Sequence, residues 1–165
     1  MAVDIKVELT DHSKLDSIDF DNLPFGSVFS DHMLVCEYKD GAWQSMTIKP
    51  YGPISLNPSA KIFHYGQSIF EGMKAYKDAK GSVFLFRPEE NWKRLNKSAE
   101  RLMMPAVSQE IFIGGLKKLL EVDQGWIPTK DGSSLYIRPF MFARVFGDKA
   151  TQVRAVRMHG APKAV

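Results

Sequence analysis

Motifs that assign a function directly are missing from this sequence of 165 residues. Its one cysteine, Cys36, excludes an intramolecular disulfide, and the apolar neighbours Leu34 and Val35 predict that its side chain is buried in a core. The four histidines have no metal-ligand spacing with one another or with Cys36, so no metal site is predicted. The sequence contains neither a phosphate-binding P-loop nor a Gly-x-Ser-x-Gly hydrolase motif.

Long apolar runs are also absent, and none approaches the roughly 20 residues that a membrane span needs. The N-terminus lacks the charged-then-apolar pattern of a signal peptide, and Asp4 and Glu8 argue against a transit peptide. A hydrophobic content of 44% and a charged content of 25% are typical of a globular protein. We therefore expect a cytoplasmic protein with no membrane partner.

The positive charge is confined to the end of the chain. The net charge is +3, but residues 144–165 contain five basic residues and one acidic residue, so the preceding part is close to neutral. Only one aromatic residue, Phe146, is interleaved among these basic residues, so the signal for a nucleic-acid arm is weak. A solvated tail is the favoured interpretation, and we expect no nucleic-acid partner.

Short alternating segments precede helical ones along the chain. Strands are predicted near residues 3–9, 33–38, 43–48, 73–76 and 83–86, with a last strand at 135–142. One helix should begin at Pro88 and end before Pro105. A second is predicted at 109–122, although Gly114 and Gly115 weaken it by about 1 kcal/mol each relative to alanine. Hairpins followed by grouped helices predict an α+β domain.

The stretch FHYGQSIFEGMKAY (63–76) is too irregular for ordinary core. Residues 68–71 have the spacing of a capping box, which predicts one helical turn that ends at Gly72. Tyr65 and Phe70 would then lie on a tight loop between strands, where binding residues tend to occur. The alternative is a core loop in which these aromatic side chains are anchors.

This stretch resembles a signature of branched-chain aminotransferases, which are pyridoxal-phosphate enzymes of the fold-type-IV group. Three other motifs agree in order: FGSVFSDHM (25–33), LFRP through RLMMP (85–105) and SLYIRP (134–139). The resemblance covers about residues 20–143. It implies an N-terminal extension at 1–22, the small aminotransferase domain at 23–143 and a divergent basic tail at 144–165.

The resemblance implies that Arg94 binds the phosphate of pyridoxal phosphate. A guanidinium suits this role because its planar fork can bind two phosphate oxygens. Arg87 is the nearest competitor, but its position before Pro88 is typical of a helix entry. The pattern by itself favours a surface ion pair between Arg94 and Glu90, one helical turn earlier.

Five further residues match substrate-binding positions of the family. Tyr136 and Arg138 would bind the α-carboxylate of the substrate, and alternation places them on the same face of a strand. Phe25, Tyr65 and Phe70 would line the pocket for the aliphatic side chain, where apolar burial favours leucine, isoleucine and valine. The alternatives are a structural salt bridge for Arg138 and ordinary core packing for the aromatic residues.

The family's Schiff-base lysine belongs to a second, larger domain, so no catalytic residue is assigned to this chain. Lys74 is instead predicted to be a solvated or salt-bridged strand residue. The implied activity is amino transfer from leucine, isoleucine or valine to 2-oxoglutarate by a homodimer, and we expect this chain alone to be inactive. The alternative is a non-catalytic module that pairs with a full-length aminotransferase.

Two other families share this fold. They are D-amino-acid aminotransferases and aminodeoxychorismate lyases. The motif that contains Phe25 and the pair Tyr136 and Arg138 favour the branched-chain type over both.

Overall fold

The computed structural model describes residues 5–20, 22 and 27–144, and the backbone of residues 153–157 and 160–164. The helices are α1 (Lys61–Tyr65), α2 (Pro88–Arg101) and α3 (Gly115–Val122), and a π-helical turn at Glu110–Gly114 leads into α3. The strands are β1 (Ile5–Val7), β2 (His32–Val35), β3 (Glu37–Lys39), β4 (Ala42–Trp43), β5 (Met46–Pro50), β6 (Ser68–Phe70), β7 (Met73–Lys77), β8 (Val83–Leu85), β9 (Ser133–Ile137), β10 (Phe140–Ala143), β11 (Val153–Arg157) and β12 (Gly160–Ala164).

The described strands form three sheets, with the orders β1-β5-β2, β4-β3-β11-β10-β6 and β12-β9-β7-β8. All neighbours pair antiparallel except β1 and β5, which are parallel. The predicted α+β class is confirmed, since antiparallel sheets pack with two longer helical segments. Among the described residues, no helix is long and apolar enough to cross a membrane.

The helix α2 has the ends that its sequence predicts. Pro88 occupies the first turn, Glu89 and Glu90 lie near the positive end of the helix dipole, and the helix ends at Arg101. The residue before it, Arg87, has a positive φ of 46° and enters the helix as expected. Leu95 and Ala99 are fully buried, and this face attaches α2 to the core.

The core lies between the helices and the sheets. It includes the fully buried side chains Leu34, Met46, Ile48, Leu95, Phe112, Leu116, Trp126, Leu135, Ile137 and Met141. A Cβ at Gly115 would lie 2.6 Å from Leu34 Cδ2 and 2.9 Å from Met46 Sδ. Gly115 therefore allows the start of α3 to lie directly on β2 and β5, which explains why a poor helix former stands there. Cys36 is buried as predicted, and burial raises the pKa of its thiol to about 12.

Two predictions for residues 63–76 are wrong. Residues 68–71 do not form a helical turn: the helix is α1, which precedes Gly66, and residues 68–70 are strand β6. Gly66 has a φ of 58° and caps the end of α1. Tyr65 therefore ends a helix, and Phe70 lies in a strand.

The predicted strand at 135–142 is divided into β9 and β10 at residues 138 and 139. Pro139 has no N–H for the sheet ladder, which accounts for the break. The Pro139 carbonyl accepts a hydrogen bond from the Glu71 N–H at 2.8 Å. The break thus brings the turn between β6 and β7 next to Arg138.

A buried polar network attaches the N-terminal segment to the core. The Asp31 carboxylate accepts hydrogen bonds from Ser13 Oγ at 2.6 Å, the Lys14 N–H at 3.0 Å and Trp126 Nε1 at 3.1 Å. Burial favours a higher pKa for Asp31, but the three donors outweigh it and leave the pKa below its usual value. Beside it, His32 Nδ1 lies 2.6 Å from Asp123 Oδ1.

Candidate functional site

A cavity of about 360 Å³ lies between β7, β9 and α2. Its lining residues are Gly72, Met73, Lys74, Tyr76, Phe86, Asn91, Arg94 and Tyr136. Lys74 and Tyr136 are direct register partners in the sheet, so their side chains are neighbours on one face. Arg94 enters from the helix side, and two of the predicted site residues therefore meet in one cavity.

Arg94 is held by a carboxylate and not by the neighbour predicted for it. Its Nε donates to Glu71 Oε1 at 3.0 Å and its Nη2 donates to Glu71 Oε2 at 2.6 Å. The expected pair with Glu90 is not formed, since Glu90 accepts from Lys93 at 2.9 Å. The hydrogen bonds and the charge of Glu71 raise the pKa of Arg94, so the guanidinium is charged at any physiological pH.

The site is completed by contacts among Tyr136, Arg138 and Phe70. Arg138 Nη2 donates to the Tyr136 hydroxyl at 2.6 Å, and the Arg138 guanidinium lies 4.4 Å from the centre of the Phe70 ring. Arg138 Nε is buried and has no hydrogen-bond partner among the described residues. A Cβ at Gly72 would lie 2.5 Å from the Tyr136 hydroxyl, so only glycine allows this close approach.

Tyr65, Phe70 and Arg138 are not among the residues that line the cavity. The Tyr65 residue is 64% exposed at the end of α1, and Phe70 is 63% exposed beside Arg138. Phe25 lies outside the described residues. The core-packing alternative does not apply to Tyr65 and Phe70, because both are mostly exposed.

Sequence reasoning did not place three further residues in this site. Lys74, predicted to be a solvated or salt-bridged strand residue, lies in β7 but is half-buried in the cavity wall and forms no ion pair with another described residue. Glu71 and Asn91 are buried, and Asn91 Nδ2 donates to Glu71 Oε2 at 2.9 Å. The signal for Glu71 was its place beside Gly72 in the signature stretch, but the capping-box interpretation assigned it to a helix that does not form.

The residues present suit a phosphate-bearing cofactor. Arginine carries five N–H donors, and Glu71 takes only two of those on Arg94. The remaining donors and the Lys74 amine supply positive charge to one cavity. Arg138, whose Nε has no hydrogen-bond partner among the described residues, donates through Nη2 to the hydroxyl of Tyr136 in the cavity wall. No group of three or more possible metal ligands occurs among the described residues.

A second, larger cavity of about 710 Å³ lies along β8, the start of α2 and α3. Its wall combines apolar residues with charges of both signs, including Arg87, Lys117, Glu89 and Glu121. None of the predicted site residues that the structure describes lines it.

Solved structures resemble this fold. The branched-chain amino acid aminotransferase from Escherichia coli aligns with a TM-score of 0.53 at 20% identity, over 82% of this chain and 41% of that one. The T.th. branched-chain amino acid aminotransferase, complexed with N-(5'-phosphopyridoxyl)-L-glutamate, aligns with a TM-score of 0.52 at 25% identity, over 77% of this chain and 39% of that one. The chain thus has the fold of the fold-type-IV aminotransferases.

Curated relatives are more similar in sequence. Branched-chain-amino-acid aminotransferase 2 of Bacillus subtilis (strain 168) is 49% identical over 140 residues, which are 84% of this chain and 38% of the relative. A probable branched-chain-amino-acid aminotransferase of Staphylococcus aureus (strain MRSA252) is 49% identical over 87% of this chain and 40% of its own length. No family model matches the chain. The matched part of the chain belongs to the branched-chain aminotransferase family, and the chain spans about 40% of the length of these relatives.

Proposed function

We propose that this chain forms one wall of the active site of a branched-chain aminotransferase. The reaction transfers the amino group of leucine, isoleucine or valine to 2-oxoglutarate with pyridoxal phosphate as cofactor. The observation that carries this proposal is the meeting of Arg94 and Tyr136 in one cavity, with Arg138 bonded to the Tyr136 hydroxyl. When bound, pyridoxal phosphate supplies a ring that withdraws electrons from the substrate α-carbon.

Arg94 is proposed to bind the cofactor phosphate through the guanidinium edge that Glu71 does not use. Two parallel N–H···O bonds to phosphate oxygens would fix both the distance and the orientation of the phosphate. Lys74 lines the same cavity and would add to its positive potential. No residue of this chain is assigned the covalent attachment of the cofactor.

Tyr136 and Arg138 are proposed to bind the substrate carboxylate. The Tyr136 hydroxyl accepts a hydrogen bond from Arg138 Nη2, and it is proposed to donate its own O–H to a carboxylate oxygen when the substrate binds. Arg138 Nε remains a donor without a partner among the described residues, which a bound carboxylate would satisfy. Phe25, Tyr65 and Phe70 are proposed to contact the aliphatic side chain of the substrate.

Binding measurements on the purified chain test the assignment of Arg94. Pyridoxine 5′-phosphate and pyridoxine differ only in the phosphate, and neither carries an aldehyde that could react with surface lysines. We expect the phosphate form to bind more tightly, and Arg94→Lys to abolish most of that difference because an ammonium cannot form the bidentate contact. The matched control is Arg101→Lys at the other end of α2. Equal loss in both variants would contradict the assignment.

The chain alone is expected not to transaminate. The assay mixes the purified chain with leucine, 2-oxoglutarate and pyridoxal phosphate and measures glutamate. Turnover close to that of a full-length relative would overturn this expectation.

A second candidate function is a non-catalytic module that pairs with a full-length aminotransferase. It is supported by two large apolar side chains at the cavity and beside Arg138 that are more than half exposed, which are Phe86 and Phe70. Size-exclusion chromatography with and without a full-length relative tests it, and separate elution at micromolar concentration would exclude it. Homodimer formation and a cytoplasmic location stay predictions.

A further inference from the structure

We propose that Glu71 is a positioning residue, which holds one edge of the Arg94 guanidinium so that the other edge is directed at the phosphate of the cofactor. This inference rests on the proposed function, because it requires that the cavity beside Arg94 binds a phosphate. Glu71 would determine where the N–H donors of Arg94 point, and it would not itself touch the ligand.

Glu71 and Arg94 differ strongly in exposure. The Glu71 side chain is 8% exposed, whereas the Arg94 side chain is 63% exposed. An arginine at such a position on a helix surface ordinarily samples many rotamers. Here it is joined to a buried carboxylate by two parallel hydrogen bonds of 3.0 and 2.6 Å. The pair therefore restrains a long side chain that the helix surface leaves unrestrained.

The carboxylate is itself fixed from two directions. The Glu71 N–H donates to the Pro139 carbonyl at 2.8 Å, which fixes its backbone. Asn91 Nδ2 donates to Glu71 Oε2 at 2.9 Å and lies 3.2 Å from the Gly72 carbonyl oxygen. Asn91 is on α2, one turn before Arg94, so the helix and the turn between β6 and β7 share this contact.

Because the guanidinium is planar, its contact with Glu71 also determines where the remaining N–H donors of Arg94 point. Glu71 binds the Nε and Nη2 edge, and because the group is planar this also orients the Nη1 and Nη2 edge. Three of the five N–H donors are not used by Glu71, and two of them, one on Nη1 and one on Nη2, point out from this second edge, which is the arrangement that binds two phosphate oxygens. Arg94 is also part of the cavity wall. A fixed donor pair binds an anion more tightly than a mobile one, because less side-chain entropy is lost on binding.

Charge repulsion and positioning predict opposite effects of Glu71 on phosphate binding. A buried carboxylate next to an anion site repels the anion, so its replacement by a neutral amide should tighten phosphate binding. Positioning predicts weaker binding after the same replacement. Glu90 provides the matched control, since its charge also acts on Arg94 but the structure shows no hydrogen bond from Arg94 to it.

The experiment compares the complete 165-residue chain with its Glu71→Gln and Glu90→Gln variants. The quantity measured is the ratio of the dissociation constants of pyridoxine and pyridoxine 5′-phosphate, obtained by calorimetry well below the unfolding temperature. We expect Glu71→Gln to lower this ratio about two- to tenfold and Glu90→Gln to leave it equal or higher. An unchanged or higher ratio in Glu71→Gln overturns the proposal.

Glu71→Gln made in the Arg94→Lys variant distinguishes a positioning role of Glu71 from a merely structural one. Lysine has no fork for Glu71 to orient, so Glu71→Gln should then cause no further loss in the ratio. A further loss of the same size would mean that Glu71 acts through general stability, and it would overturn the proposal.

One measurement needs no variant. In the ¹⁵N-labelled chain the Arg94 Nε–H proton should exchange with water far more slowly than in free arginine, and exchange at the free rate would overturn the proposal. If the original chain binds both pyridoxine forms equally, the proposed phosphate site itself fails. If the original chain binds pyridoxine 5′-phosphate more tightly than pyridoxine, but Glu71→Gln leaves that difference unchanged, the phosphate site stands and only the inference about Glu71 fails.

Discussion

The two adjacent glycines at the start of α3 should respond in opposite ways to alanine. Gly114 and Gly115 both have ordinary right-handed helical angles, with φ of −63° and −62°. A Cβ at Gly114 would meet no atom within 4 Å. A Cβ at Gly115 would lie 2.6 Å from Leu34 Cδ2 and 2.9 Å from Met46 Sδ, and both of these side chains are fully buried.

The magnitude follows from two opposing effects. Alanine in place of glycine in a helix gains about 0.5–1 kcal/mol at either position, largely because the unfolded chain becomes less flexible. At Gly115 the added methyl must displace buried side chains, and such overpacking costs about 1–3 kcal/mol. We therefore expect Gly114→Ala to raise the free energy of unfolding. The free energy of unfolding of Gly115→Ala should be about 1–3 kcal/mol lower than that of Gly114→Ala.

Thermal and urea denaturation followed by circular dichroism measure this difference. The backbone effect is common to both variants, so the difference between them isolates the packing cost at Gly115. For a chain of this size, 1 kcal/mol shifts the unfolding temperature by about 2–4 °C. If Gly115→Ala proves as stable as Gly114→Ala, the close contact of α3 with β2 and β5 is not as described.

Three further predictions concern protonation and the cavity. Because the folded pKa of Asp31 lies below its unfolded value, its contribution to stability is present above about pH 4 and is lost as the pH falls through the folded pKa. Asp31→Asn should therefore lower the free energy of unfolding by about 1–3 kcal/mol at pH 7 and by less near pH 3, as urea titrations at several pH values would show. An equal loss at both pH values would contradict this role. Cys36, with its buried thiol and pKa raised to about 12, should react with Ellman's reagent at pH 8 only after urea unfolds the chain, and prompt reaction would contradict its burial. Gly72→Ala should push the Tyr136 hydroxyl away from Arg138 and weaken binding of 4-methylvalerate measured by NMR titration, whereas Gly52→Ala, with open space around its Cβ position, should not. Equal affinities of the two variants would argue against carboxylate binding by Tyr136.

4-Methylvalerate is an appropriate probe of the proposed substrate site. The probe has the branched shape and the carboxylate of the proposed substrates but no amino group, so its binding reports on the pocket without any reaction.

Local signals in the sequence determined the elements whose limits depend on near neighbours. Pro88, the acidic residues that follow it and Pro105 set the limits of α2 without reference to the rest of the chain. Alternation predicted β7, and the apolar run around Cys36 predicted its burial. The ordered motifs located Arg94, Tyr136 and Arg138 as candidates, and the first two line a common cavity.

Only the tertiary structure decided how these residues are held. The helix α1 begins after Ala60, which offers no side-chain cap, so its formation depends on packing rather than on a local signal. Glu71 binds Arg94 across 23 positions of sequence, and no periodicity within either element indicates that contact. Side-chain pairs between distant segments depend on how the β6–β7 turn, the break at Pro139 and α2 come together, because hydrogen bonds act over a few ångströms of space and not over sequence.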